Sequence, residues 1–143
     1  STGGFDTHDD QLEDHPGLLG DLGASLKAFQ DALVELGVAD KVIAFTQSDF
    51  GRTLTSNGDG TDHGWGGHQL VVGSSVLGQR IYGAMPRLEI GGPDDTTGGR
   101  IIPTTAVDQY AATLARWFGL TDAQVDAIAP NARNFPTKYL PFV

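Results

Sequence analysis

All four histidines of the chain fall in two short polar stretches, each rich in small carboxylates. The first is Gly3-Gly4-Phe5-Asp6-Thr7-His8, with Asp9, Asp10 and His15 close behind. The second is Ser48-Asp49-Phe50-Gly51-Arg52-Thr53, continuing to Asp62-His63 and His68. Imidazole nitrogen mixed with carboxylate oxygen is a donor set that Zn²⁺ accepts and Mn²⁺ tolerates, whereas Ca²⁺ and Mg²⁺ favour all-oxygen shells. The expectation is a divalent-metal site, zinc first, with Mn, Ca or Mg as alternatives. A histidine beside a turn is more often structural or solvated. That reading is preferred for His15 and His68, and the ligand reading for Asp49 and His63. With no cysteine, the metal must be held by Asp, Glu, His and backbone oxygens, and neither a disulfide framework nor a cysteine nucleophile exists.

Other motifs fail on their spacing. Asn57-Gly58-Asp59-Gly60-Thr61-Asp62 opens like a calcium loop, but the positions that need Gly and Glu hold Asp62 and His68. Gly73-Ser74-Ser75-Val76-Leu77 approximates a nucleophile elbow without its closing glycine. Gly58, Gly60 and Gly64 do not match the dinucleotide fingerprint and open no helix.

Composition removes whole classes of function. A formal net charge of −9, with nine Lys and Arg scattered along 143 residues, leaves no basic patch to neutralise phosphates, so nucleic acid is not an expected partner. No apolar run approaches the roughly 20 residues that span a bilayer. Most of the 18 acidic residues are Asp and sit in Gly-rich loops, where short carboxylates suit cation binding as well as turns and caps.

The elements that must position these groups follow from periodicity. Over residues 18–36, Leu22, Leu26, Phe29, Leu33 and Leu36 recur in steps of four and three, predicting a helix with Pro16 in its first turn and Gly37 at its C-terminal cap. The run 42–46 is short, continuous and β-rich, predicting a strand buried on both faces of a parallel sheet. Residues 48–67 predict a long functional loop. Residues 69–72 predict a second strand, 81–82 and 88–90 a small β excursion, and 100–102 a last strand. Thr104 or Thr105 then caps a helix with Val107, Tyr110, Ala111, Leu114, Trp117 and Phe118 inward, ended by Gly119. Thr121 to Gln124 fits a capping box for a short helix to Ile128, and the tail from Pro130 is expected to be extended. The expected fold class is therefore α/β, a largely parallel sheet flanked by helices with a small β excursion. Residues 1–143 would form a single domain. A motif like the opening one usually follows a buried strand and none precedes it, so the chain reads as the C-terminal part of a larger protein. In such a sheet both polar clusters would lie at the carboxyl ends of strands.

At these residues the sequence resembles a bacterial family of exported proteins of unknown function, many with twin-arginine signals, distantly similar to the alkaline phosphatase and sulfatase superfamily. The likeness rests on Gly3-Gly4-Phe5-Asp6-Thr7-His8 with Gln11, the helix ending at Gly37, Ser48-Asp49-Phe50-Gly51-Arg52-Thr53, and Asp62-His63 ahead of Leu70-Val71-Val72-Gly73. It implies an alkaline-phosphatase-like sheet with metal ions at its strand ends, Asp6, His8, Asp49 and His63 as metal ligands, and Arg52 as the anion-binding catalytic residue. It also implies a metal-dependent hydrolase of phosphate or sulfate esters acting on a small anionic ester, periplasmic or secreted, with the nucleophile supplied by the N-terminal half of the same protein. The superfamily usually has Asp-His where this chain has Asp49-Phe50. That difference favours a rival reading, a non-catalytic phosphatase-like binding or assembly domain holding a structural cation.

Overall fold

The computed structural model describes residues 2–143, which group into two compact units, one of residues 2–75 with Pro86–Ile102 and one of Val76–Met85 with Pro103–Val143. The first unit carries helix α1 (Gln11–Glu35), strands β1 (Ala44–Phe45), β2 (Gly51–Ser56), β3 (Thr61–Gly64) and β4 (Val71–Val72), and a single 3₁₀ turn at Ala39–Lys41. The second carries helices α2 (Val107–Trp117) and α3 (Asp122–Ile128) and a 3₁₀ turn at Pro130–Asn134.

This architecture corrects the expected fold class. There is no large parallel sheet: the described strands form two antiparallel pairs, β1 with β4 and β2 with β3. An alkaline-phosphatase-like fold is therefore excluded. The misreading starts at residues 42–46, whose continuous apolar run looks like a strand covered on both faces. Only Ala44 and Phe45 are in strand, Phe45 is half exposed, and their partner is the antiparallel β4 in register Ala44↔Val72. Gly73 is needed where that pair closes, because a Cβ there would stand 2.8 Å from the Val42 carbonyl. The pieces at 81–82 and 88–90 are not strands, and at 100–102 only an isolated antiparallel bridge joins Ile101 to Asp95.

The largest gain over the sequence reading lies in residues 48–67. The expected loop is a β-hairpin, paired Gly51↔Gly64, Arg52↔His63 and Ser56↔Thr61, with an irregularity between Arg52 and Ser56. Asn57-Gly58-Asp59-Gly60 turns the chain. Asn57 N–H donates to Gly60 O (3.1 Å), Gly60 N–H donates to Asn57 Oδ1 (3.2 Å), and Gly58 takes φ +144°, a conformation open to glycine.

Helix α1 begins seven residues earlier than its apolar pattern predicts, so Pro16 lies past the first turn. Leu22 and Leu26 face partly inward and Leu33 is buried, as the spacing requires, while Phe29 and Leu36 are exposed. In the second unit the capping box of α3 forms as expected: Thr121 Oγ1 accepts from Gln124 N–H and Gln124 Oε1 accepts from Thr121 N–H. For α2 the N-cap is Ala106, not Thr104 or Thr105, with Gln109 Oε1 accepting the Ala106 N–H. Tyr110 is inward as expected, yet Val107, Ala111 and Phe118 are exposed and the core is made instead by Ala112, Val125, Ala129 and Ala132. Small side chains here let α2, α3 and the following turn approach closely.

Candidate metal centre

The candidate centre is built where the loop ahead of α1 meets the β2–β3 hairpin. Thr7 is buried with its hydroxyl 3.2 Å from His15 Nε2, which anchors the loop to the first turns of α1. Gln11 extends the anchor, its backbone N–H reaching Asp59 O and its amide reaching Thr61 Oγ1, each at 3.1 Å. His15 is thus a structural histidine. Gly60 permits the contact, since a Cβ there would stand 2.2 Å from the His8 carbonyl oxygen. Any side chain at position 60 would push the Asp6–His8 segment away from β3.

Arg52 ties the two parts together. One terminal nitrogen donates to Thr61 O at 2.7 Å, and the other donates to Phe5 O and Asp6 Oδ1, each at 2.8 Å. The guanidinium is mostly buried, and its bonds run to backbone carbonyls and to a candidate ligand. In this arrangement Arg52 orients Asp6 and fixes the hairpin against the loop.

The result is a tight triangle of donor atoms. Asp6 Oδ1 lies 2.8 Å from His63 Nε2 and 3.1 Å from His8 Nε2, and the two imidazole nitrogens are 3.1 Å apart. Zn–N and Zn–O distances of about 2.0–2.1 Å place two donors of a tetrahedral centre about 3.3 Å apart. The triangle therefore needs to open by only a few tenths of an ångström to hold one such ion. Asp6, His8 and His63 are the group of His and carboxylate donors that converges among the described residues. Two imidazoles and one carboxylate, half exposed to solvent, match the donor set of a zinc site with a position left open. The hydrogen bond from His63, followed by that from Arg52, holds the Asp6 carboxyl below the usual carboxylate range, so it is ionised and ready to act as a ligand.

Two neighbours support the imidazoles. Phe50 lies flat on His63, with ring centroids 3.7 Å apart and planes 6° from parallel, and the Arg52 guanidinium carbon is 5.1 Å from the centre of the Phe50 ring. Asp62 Oδ1 lies 3.3 Å from His8 Nδ1 and also accepts from Asn57 Nδ2 at 3.1 Å.

Of the sequence-predicted site residues, Asp6, His8, His63 and Arg52 come together. Asp49 is exposed and stands outside the donor group, and His68 is likewise exposed. Sequence reasoning passed over Asp62, Asn57 and Phe50 as contributors. The Asn57-Gly58 dipeptide is a hairpin signal that would have brought Asp62 and His63 opposite Arg52. Nothing in local pattern pairs Asp62 with His8, which is 54 positions away.

No curated protein and no solved structure matches the chain. A family model described as "Protein of unknown function (DUF1501)" matches residues 1–130, and the chain belongs to that family.

Proposed function

We propose that this chain forms a divalent-metal centre of a hydrolase acting on phosphate or sulfate esters, with Asp6, His8 and His63 as the ligands. The observation that carries the reading is the donor triangle, two imidazole nitrogens and one carboxylate oxygen separated by 2.8–3.1 Å. A bound divalent cation supplies Lewis acidity toward a phosphoryl or sulfuryl oxygen and lowers the pKa of an attacking hydroxyl or water. The residues of the chain do the rest. Asp6 brings one negative charge that keeps a divalent site net positive toward an anionic ester. His8 and His63 complete one side of the shell and leave the solvent side open. Arg52 holds Asp6 in place, and its contact with the carboxylate keeps a positive charge at the edge of the site. The ester class, a nucleophile in the N-terminal half of the same protein and export to the periplasm or beyond rest on the family resemblance of the motifs.

The test is metal content and turnover of the full-length protein. Zinc or manganese near one equivalent, and hydrolysis of an aryl phosphate, phosphodiester or sulfate that falls at least a hundredfold in His63→Ala, is the expected result. A protein that takes up no divalent metal under any loading condition sinks the proposal.

A second reading has its own support. The bonds of Arg52 to Phe5 O and Thr61 O make it a structural tie, which suits a cation that stabilises the loop–hairpin junction in a binding or assembly domain. It predicts that metal removal lowers the melting temperature and that no ester is turned over.

A further inference from the structure

The turn between β2 and β3 carries a reactive pair that the proposed metal chemistry does not use. Asn57 is followed by Gly58, and both residues are exposed. An asparagine side chain is open to attack by the backbone nitrogen of the next residue, to a degree set by crowding at that residue and by the electrophilicity of the amide carbon. Crowding is absent here, since a Cβ at Gly58 would meet nothing within 4 Å. The Gly58 N–H donates to Ser56 Oγ at 3.1 Å, so a hydroxyl stands where the departing proton must go. The Gly60 N–H donates to Asn57 Oδ1 at 3.2 Å, and a fixed donor on that oxygen stabilises the charge a tetrahedral intermediate places there. We infer that Asn57 is a self-modification site, which loses its amide in the folded protein through a cyclic imide with Gly58 and leaves an isoaspartyl or aspartyl residue in the hairpin turn.

Water is the one co-reactant. The Gly58 nitrogen bonds to Asn57 Cγ and gives up its proton, while Nδ2 takes a proton and departs as ammonia. Water then opens the ring at one of its two carbonyls. Cleavage of the bond from nitrogen to Cγ gives aspartate, and cleavage of the bond from nitrogen to the main-chain carbonyl carbon gives isoaspartate, in which the main chain runs through Cβ and Cγ and is longer by one methylene.

The chain supplies its own contrasts. Asp59-Gly60 pairs a carboxyl with a following glycine, yet Gly60 is buried, a Cβ there would stand 2.2 Å from the His8 carbonyl oxygen, and its N–H is committed to Asn57 Oδ1. Asn131 and Asn134 precede Ala132 and Phe135, whose side chains crowd the attacking nitrogen. Modification at Asn57 reaches beyond the turn. Asn57 closes it with two bonds to Gly60 and offers Nδ2 to Asp62 Oδ1, and Gly60 is where the hairpin meets the loop bearing Asp6 and His8. Either product removes the Nδ2 donor, and the extra methylene displaces the closure on Gly60. The consequence for metal binding rests on the metal reading; the modification itself does not.

The experiment incubates freshly purified, metal-free full-length protein at mildly alkaline pH and physiological temperature, folded in buffer and unfolded in urea. Peptide mapping follows the amide-to-acid mass change, and enzymatic methylation counts isoaspartyl carboxyls. The expected result is that the folded protein converts at position 57 well ahead of positions 59, 131 and 134, and that Ser56→Ala slows this conversion in buffer but not in urea. The isoaspartyl form, separated by ion exchange, should melt several degrees below the unaged protein. Its Zn²⁺ affinity, measured by competition with a chromophoric chelator, should be roughly tenfold weaker. A folded protein that keeps the Asn57 amide while the unfolded chain loses it overturns the inference, because the turn would then shield the pair. Equal loss at Asn131 or Asn134 in the folded protein overturns it as well. If the unaged protein binds no zinc while position 57 converts, the metal proposal fails and the modification site stands. If zinc binds tightly and the Asn57 amide persists, the modification site fails and the metal proposal stands.

Discussion

The ring of Phe50 is stacked on that of His63 at 3.7 Å and 6°, so one imidazole of the donor triangle is braced through its face. An aromatic pair contributes about 1 kcal/mol beyond its area. Phe50→Leu should therefore weaken Zn²⁺ binding by roughly fivefold while leaving the hairpin folded. Isothermal titration alongside circular dichroism checks this; unchanged affinity would show that His63 needs no brace.

Gly60 controls whether the loop reaches the hairpin at all. Adding a methyl at a site 2.2 Å from a backbone oxygen forces the two segments apart, and Gly60→Ala should destabilise the junction by about 2 kcal/mol or more. Metal affinity should drop with it. Gly3→Ala, whose Cβ would meet nothing within 4 Å, is the matched control and should behave like the parent in thermal melts and metal titrations.

Asp49 offers the sharpest contrast with its sequence-based assignment. Because it is exposed and outside the donor group, Asp49→Ala should change Zn²⁺ affinity less than twofold, whereas Asp6→Ala should reduce it by a hundredfold or more. A large loss in Asp49→Ala would mean that metal binding draws the 48–50 segment inward.

The second unit carries its own pH dependence. Burial pushes the Tyr110 phenol up to about 12 from an ordinary value of 10.0, so the folded state keeps the proton while the unfolded chain releases it. The stability this group contributes is present in full below pH 10 and is lost as pH rises through about 12, a change of roughly 3 kcal/mol. Urea melts at pH 9 and pH 11.5, followed through α2 and α3, should show the loss, and Tyr110→Phe should remove most of it.

Short-range chemistry in the chain marks the two polar stretches from which the candidate donor group is drawn. His63 stands out by type and spacing, the family resemblance picks out Asp6, His8 and Arg52, the absence of cysteine limits the donors, and Gly37, Gly119 and the Thr121–Gln124 box mark helix ends correctly, because caps and donor sets are properties of a few neighbouring residues. Local pattern could not decide how strands pair. An apolar run such as 42–46 reads the same in a parallel sheet and in a short antiparallel ladder, and only the position of Val71 and Val72 relative to Ala44 and Phe45 distinguishes them. The same holds at the centre. That Asp49 lies apart, that Asp62 stands behind His8, and that Arg52 is bound to Phe5 and Thr61 are consequences of the hairpin docking through Gly60, a contact between segments some fifty positions apart. Distances of that kind are set by chain closure and packing, which no window of adjacent residues contains.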